Sequence, residues 1–291
     1  MKVLAIGGTR FIGAHVVRQL HDAGARVTVF HRGSTGNPIL PHVEHVRSAS
    51  ARYPITEFPD AVRRDWDVVV HMVAMGRADA EAVVSTFSGR AGRLVIISSC
   101  DVYRAYGRLT GMESGMPEPV PLGEEAPLRS VLYPYRGMEE QIGAYARDYD
   151  KILVERTVRN AQYLDWTILR LPKVYGAEDN SDLATVYGFA SVPDWRWTHG
   201  HVSNVAHAIA LAATHPQGRN AILNVGEQST LTMGERLRRL PVQNAPTPDP
   251  PPFDYRQSLV MDTTRIRRDL GYVDMVEENA AMDELVRLPR R

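Results

Sequence analysis

The seven residues Gly7 to Gly13, GGTRFIG, follow a short apolar run and precede a helical pattern, so they form the turn between a first strand and a first helix. There the uncompensated amides and the dipole of the helix start both favour an anionic oxygen. Glycine lets the chain turn without a Cβ in the way, and Gly13 lets the helix pack close to the sheet. The chemistry predicted is the cradling of a dinucleotide pyrophosphate, with Gly7, Thr9, Arg10, Phe11, Ile12 and Gly13 as contacts. A second group stands at the end of the next strand. A carboxylate at that place would accept from the ribose 2′-hydroxyl of NAD, but this chain has His31 and Arg32. Arg32, helped by Arg10, suits a 2′-phosphate through charge-assisted hydrogen bonds, which favours NADP over NAD.

The elements that must position these residues are legible as β-branched runs alternating with helical patterns. Strands are predicted at KVLAI (2–6), RVTVF (26–30), HVEHV (42–46), DVVVHM (67–72), RLVIIS (93–98), WTILR (166–170) and AILNV (221–225). Most are apolar on both faces, as buried parallel strands must be. Phe11, Ile12, Val16, Val17 and Leu20 recur at helical spacing up to Gly24, completing a first β-α-β unit. A long helix is predicted from about Met138 to Ala161. Residues 104–137, rich in Pro and Gly, read as an extended lid or substrate wall, and PVQNAPTPDPPPF (241–253) as an exposed linker. The fold class expected is α/β, a doubly wound parallel Rossmann sheet with a small C-terminal substrate-binding lobe.

Composition narrows the function. Lys plus Arg and Asp plus Glu both number 34, so no global field draws the chain to nucleic acid or an anionic membrane. The opening MKVLAIGGTR lacks the long apolar stretch of a signal peptide or membrane span, and a cytoplasmic protein is expected. The single Cys100 allows no intramolecular disulfide and no cysteine-based zinc cluster. The His42/His45 and His199/His201 pairs lack a third ligand at regular spacing, so no metal site is predicted.

Further strings follow GGTRFIG along nearly the whole chain: DVVVHMVA (67–74), LVIISSCDVY (94–103), DKILVE (150–155), DWTILRLPKVYG (165–176), HVSNVAHAI (201–209), ILNVGE (222–227) and DTTRIRRDLGY (262–272). In that order and spacing the chain resembles the extended short-chain dehydrogenase/reductases, the NAD-dependent epimerase/dehydratase family. Its GGTR form is similar to a branch containing chloroplast stem-loop RNA-binding relatives. The resemblance implies an NAD(P)-binding Rossmann domain over 1–171, joined by strand 221–225, and a mainly substrate-binding lobe over 172–291. It implies further cofactor contacts at Val73, Ala74, Ser98, Pro172 and Val174, a small-molecule substrate, and a homodimer paired through residues 76–90 and 138–161. It also implies a Ser that holds the substrate oxygen, a Tyr that moves the proton, and a Lys that lowers the Tyr pKa and holds the nicotinamide ribose. Ser99 and Lys151 match two of these.

The third is displaced. The family's Tyr precedes its Lys by four, where this chain has Arg147, which cannot give up a proton. Tyr149 lies two before Lys151, roughly 200° away on a continuous helix. Three readings stay open: a shifted helix start brings Tyr149 into place, Tyr103, Tyr133 or Tyr135 reaches in from the loop, or the chemistry is gone. The first two predict an NADP-dependent oxidoreductase or epimerase acting on a carbinol or carbonyl of a sugar-like or other small substrate. The last predicts a non-catalytic NAD(P)-binding regulatory protein, and the GGTR likeness alone would give an RNA-binding one. Ser48 and Ala49 replace the Gly-Asp that relatives place against adenine, which predicts a looser adenine contact. Residues 181–198 form a segment short for a nucleotide-sugar enzyme and carry Trp195 and Trp197, which read first as core or packed-lid residues and alternatively as the wall of an apolar pocket for a substrate smaller than a nucleotide sugar.

Overall fold

The computed structural model describes residues 1–34, 43–177, 182–242 and 249–287. The strands are β1 (Lys2–Ile6), β2 (Arg26–His31), β3 (Glu44–Arg47), β4 (Val68–His71), β5 (Arg93–Ser99), β6 (Asp165–Leu171), β7 (Lys173–Tyr175), β8 (His199–His201) and β9 (Ala221–Asn224). The helices are α1 (Phe11–Asp22), α2 (Arg77–Phe87), α3 (Arg104–Leu109), α4 (Glu139–Ile142), α5 (Lys151–Arg159), α6 (Asp182–Tyr187), α7 (Val202–Thr214), α8 (Met233–Leu237), α9 (Thr264–Leu270) and α10 (Glu278–Arg287). Seven strands make one parallel sheet in the order β3-β2-β1-β4-β5-β6-β9, and β7 pairs with β8 outside it. His42, at the start of the predicted third strand, lies outside the described residues. Among these residues no helix is long and apolar enough to cross a membrane.

Alternation along the strands decides what each face buries. Val3, Ala5, Val27, Val29, Val68 and Val70 face one way, onto α1 and α7, while Leu4, Ile6, Phe30, Val69, Leu94 and Ile96 face the other, onto α2 and α5. Strand order reverses between β1 and β4, and the crevice beyond the carboxyl ends of such neighbours is the place where this topology holds ligands. A third apolar cluster joins Val102, Tyr103 and Leu109, from the segment after β5, to Trp195, Met233 and Met261 and forms the core of a second lobe. The chain crosses between lobes more than once, since α7 packs against α1 in the sheet layer.

Two predicted elements are corrected. The helix expected over 138–161 is three pieces: α4, a 3-10 turn over Ala144–Arg147, and α5. Gly143, at φ +104°, breaks the first piece. Asp150 then caps α5, its side chain accepting from the Ile152 amide at 2.9 Å, so the helix cannot start before Lys151. The extended loop over 104–137 begins with α3, whose Gly107 leaves room for the Glu113 side chain.

Buried polar groups tie the layers. Arg170 on β6 forms a two-pronged pair with Glu155 on α5, at 2.9 and 2.7 Å, and its other nitrogen donates to the Tyr103 hydroxyl and the Glu124 carbonyl. Ser98 donates to the same Glu155 carboxylate at 2.6 Å, and Tyr103 donates to Asn224 on β9 at 2.6 Å. Removing one partner of a buried pair leaves the other charge without compensation. Arg170→Ala is expected to lower unfolding free energy by about 3–5 kcal/mol in urea titration.

Candidate active site

The glycine turn lies where the sequence puts it, at the carboxyl end of β1. Gly7 has φ +90°, and a Cβ there would stand 2.7 Å from Val73 Cγ1. A Cβ on Gly13 would fall 2.4 Å from the Gly7 carbonyl oxygen, so only glycine permits this approach of α1 to the turn. The helix start is uncapped: Arg10, the N-cap residue, makes no side-chain cap bond, and the first turn holds no acidic residue. Its first amides are therefore available to an anion, and the cradle fits a dinucleotide pyrophosphate.

Two clefts open on either side of this turn. The narrower, about 400 Å³, is lined by Gly7, Thr9, Arg10, His31, Arg32 and Val73, and by residues the sequence reading did not name: Ser34, Ala51, Arg52, Tyr53, Met75 and Tyr145. No carboxylate lines it among the described residues, while three guanidinium groups do. His31 is held by its ring, with Nδ1 accepting from the Gly33 amide at 3.2 Å and Nε2 paired with His45 Nδ1 at 3.1 Å. Burial, then the neighbouring His45 and Arg47, push the His31 pKa down, which favours a neutral ring. The buried Asp79 holds the cleft's Ile55 and Met75 from behind: its carboxylate accepts from the Ile55, Met75 and Gly76 amides at 2.7, 3.2 and 3.1 Å. Ser48 donates its amide to the His31 carbonyl and its hydroxyl pairs with Ser50, so the loop after β3 is closed by serines.

The wider cleft, about 720 Å³, is lined by Phe11, Ser99, Asp101, Tyr135, Pro172 and Val174 near the turn and by Phe189, Trp195, Trp197 and Phe253 further out. Asp249 and Pro251 line it too, so the described end of the segment read as an exposed linker is a wall of the cleft. Of the expected cofactor contacts, Ile12 packs into the core below the turn, Ala74 is buried, and Ser98 spends its hydroxyl on Glu155, away from both clefts.

Ser99, Tyr149 and Lys151 come together at the end of β5. Because α5 begins at Lys151, Tyr149 precedes the helix and the 200° separation does not apply. Its hydroxyl donates to Asp101 Oδ2 at 2.7 Å, Tyr135 donates to the same oxygen at 3.0 Å, and Asp101 Oδ1 is buried with no hydrogen-bond partner. Lys151 Nζ lies 5.6 Å from the centre of the Tyr149 ring and donates to the carbonyls of Ala74 at 2.6 Å and Ile97 at 3.0 Å. The other tyrosines are accounted for. Tyr103 is committed to Asn224, Tyr133 stacks under the Arg136 guanidinium at 3.9 Å, and Tyr135 belongs to the Asp101 cluster.

Electrostatics follow from burial. Desolvation pushes the Asp101 carboxyl up, against the pull of Arg129, the Tyr149 hydrogen bond and Lys151. Desolvation and then the adjacent Asp101 raise Tyr149 well above the ordinary phenol range, with Ser99 pulling the other way. Lys151 is brought down to about 8 by burial, against Asp101, Asp79 and Glu155. Asp101, Arg52, Tyr53 and Tyr145 are the residues the sequence reading missed. Asp101 alone had a local signal, two residues beyond Ser99.

Fold and site together define a doubly wound dinucleotide-binding protein with a Ser, Tyr and Lys gathered at the end of its fifth strand. The family profile described as the NAD dependent epimerase/dehydratase family matches residues 3–226, and the chain belongs to that family. It is 22% identical over 223 residues to a Dictyostelium discoideum sterol-4-alpha-carboxylate 3-dehydrogenase (decarboxylating), a match covering 72% of this chain and 66% of the relative. The fold is similar to that of a Thermus thermophilus UDP-glucose 4-epimerase in complex with NAD, at TM-score 0.69 and 20% identity, covering 98% of each chain. A Bacillus cereus UDP-glucuronic acid 4-epimerase, solved with UDP-glucuronic acid and NAD, gives TM-score 0.69 at 13% identity, covering 98% of this chain and 99% of that one.

The buried Lys151 also makes stability depend on pH. Its folded pKa lies below the ordinary lysine value, so between about 8 and 10.5 the unfolded chain binds more protons and stability rises with pH. The penalty is fully present below pH 8. Between pH 8 and 10 the wild type should gain stability in urea titration relative to Lys151→Met, by on the order of 3 kcal/mol at most.

Proposed function

We propose that the chain is an NADP-dependent oxidoreductase or epimerase that acts on a carbinol or carbonyl carbon held beside Ser99. The observation carrying this reading is the Tyr149 hydroxyl on Asp101, with Ser99 beside it and the Lys151 ammonium 5.6 Å from the ring. A bound nicotinamide cofactor supplies or takes up hydride at the same carbon. Gly7, Thr9 and the first amides of α1 would hold its pyrophosphate, and Arg10, Arg32 and Arg52 its 2′-phosphate. The relatives solved with NAD are consistent with a dinucleotide here, and a cleft lined by three arginines and, among the described residues, by no carboxylate supports the phosphorylated form.

Proton movement is assigned to this chain's own groups. In the oxidative direction the substrate hydroxyl gives its proton to the Tyr149 oxygen as Tyr149 passes its own to Asp101. Asp101 can hold that proton because burial has raised its affinity for one. Ser99 donates to the substrate oxygen and fixes its position. The Lys151 charge favours electron density on the Tyr149 oxygen during transfer, while Ala74 and Ile97 keep the ammonium in place.

Tyr149→Phe removes the relay and keeps the ring. It should lower kcat by about 10²–10⁴-fold with NADPH affinity unchanged in calorimetry, and full activity would refute the assignment. Ser99→Ala should also abolish turnover with cofactor binding nearly intact. In titrations of cofactor-stripped protein NADPH should bind more tightly than NADH, and Arg32→Ala should erase that preference. Equal affinity would refute the phosphate clamp.

A further inference from the structure

We propose that the wider cleft takes an uncharged alcohol or ketone with an apolar, ring-sized body, and not a nucleotide-diphosphate sugar. This rests on the reading of Ser99, Tyr149 and Lys151 as the reacting centre. A nucleotide-diphosphate substrate brings two negative charges and a base rich in donors and acceptors, and a site for it needs cations and amide or imidazole partners. Among the described residues lining the cleft, Lys173 is the one cation, set against Asp101 and Asp249, and no Arg, Asn, Gln or His side chain lines it. The balance of that lining opposes a pyrophosphate.

The lining instead matches an apolar body with one polar end. The hydroxyl groups gather beside the reacting centre, where Tyr106 meets Tyr135 at 3.1 Å and Tyr135 meets Asp101 at 3.0 Å. Further out the wall is largely aromatic and packed upon itself, with Lys173, Thr185 and Asp249 as its polar members: Phe189 lies 4.8 Å from Trp195 and 6.2 Å from Trp197, and the two indoles are 5.7 Å apart. Leu109, Leu259 and Phe253 extend it. These rings form the second lobe's core around Trp195, whose Nε1 donates to the Gln257 carbonyl at 2.8 Å, so the wall is built into the lobe and is not a loose flap. A cleft of about 720 Å³ accommodates a fused-ring ketone with its oxygen at Ser99.

Two of the four tryptophans, Trp195 and Trp197, line the cleft and report on its contents. The test titrates the full chain, saturated with NADP, with cyclohexanone, β-tetralone and a steroid ketone, and separately with UDP-glucose, following indole fluorescence. In parallel, NADPH consumption is followed with each ketone and NADP reduction with UDP-glucose. At least one ketone should give a saturable change with an affinity about tenfold or more above that for UDP-glucose. Trp197→Phe should reduce the amplitude, with Trp195→Phe as the second variant should the first not fold. UDP-glucose binding as tightly as every ketone, or no saturable response to any ketone, would overturn the proposal. Ketone binding without NADPH consumption would leave the substrate class standing and sink the catalytic reading. NADP reduction by UDP-glucose, with no turnover of any ketone, would do the reverse.

Discussion

The pair formed by Arg170 and Glu155 inside the protein determines where the rest of the site can be. Glu155 lies one helical turn after Lys151 on α5, so fixing the carboxylate against β6 fixes the rotation of α5 about its own axis. Ser98 reaches the same carboxylate from β5, immediately before Ser99, and Tyr103 links the guanidinium to β9 through Asn224. Strand, helix and second lobe therefore share one set of buried hydrogen bonds. Such a network is costly when incomplete, and its geometry admits little latitude.

Around that frame the glycine turn divides labour between two cavities. Thr9 and Arg10 face the narrower one and Phe11 the wider, within three consecutive residues. Phe11 has φ +43°, a conformation that a non-glycine residue adopts under compulsion of its surroundings. The Phe11 side chain lines the wider cleft with Pro172, Val174 and Phe189.

Much of this was legible in the residues themselves. The seven strands of the sheet follow from β-branched runs because parallel strands are buried on both faces and their patterns are hard to mistake. The turn was legible because glycine spacing and strand-to-helix context coincide. The helix before β6 was not, since helical periodicity continues through Gly143 while the actual start is set by a cap. Asp150 immediately before Lys151 is the signal that would have corrected it. Asp101, Arg52 and Tyr145 join the site from three separate segments, and pairing Asp101 Oδ2 with Tyr149 depends on a tertiary contact 48 residues apart. Spacing along the chain carries no information about such contacts.

Lys151 has a second significance beside its charge. Parallel strands part at their carboxyl ends, where carbonyls run out of neighbouring amides, and the Lys151 ammonium accepts that vacancy by bonding to one carbonyl after β4 and one within β5. The atom that would steer a proton is also a rivet across the mouth of the sheet. Any substitution of Lys151 therefore leaves the Ala74 and Ile97 carbonyls without this donor as well as removing the charge from beside Tyr149.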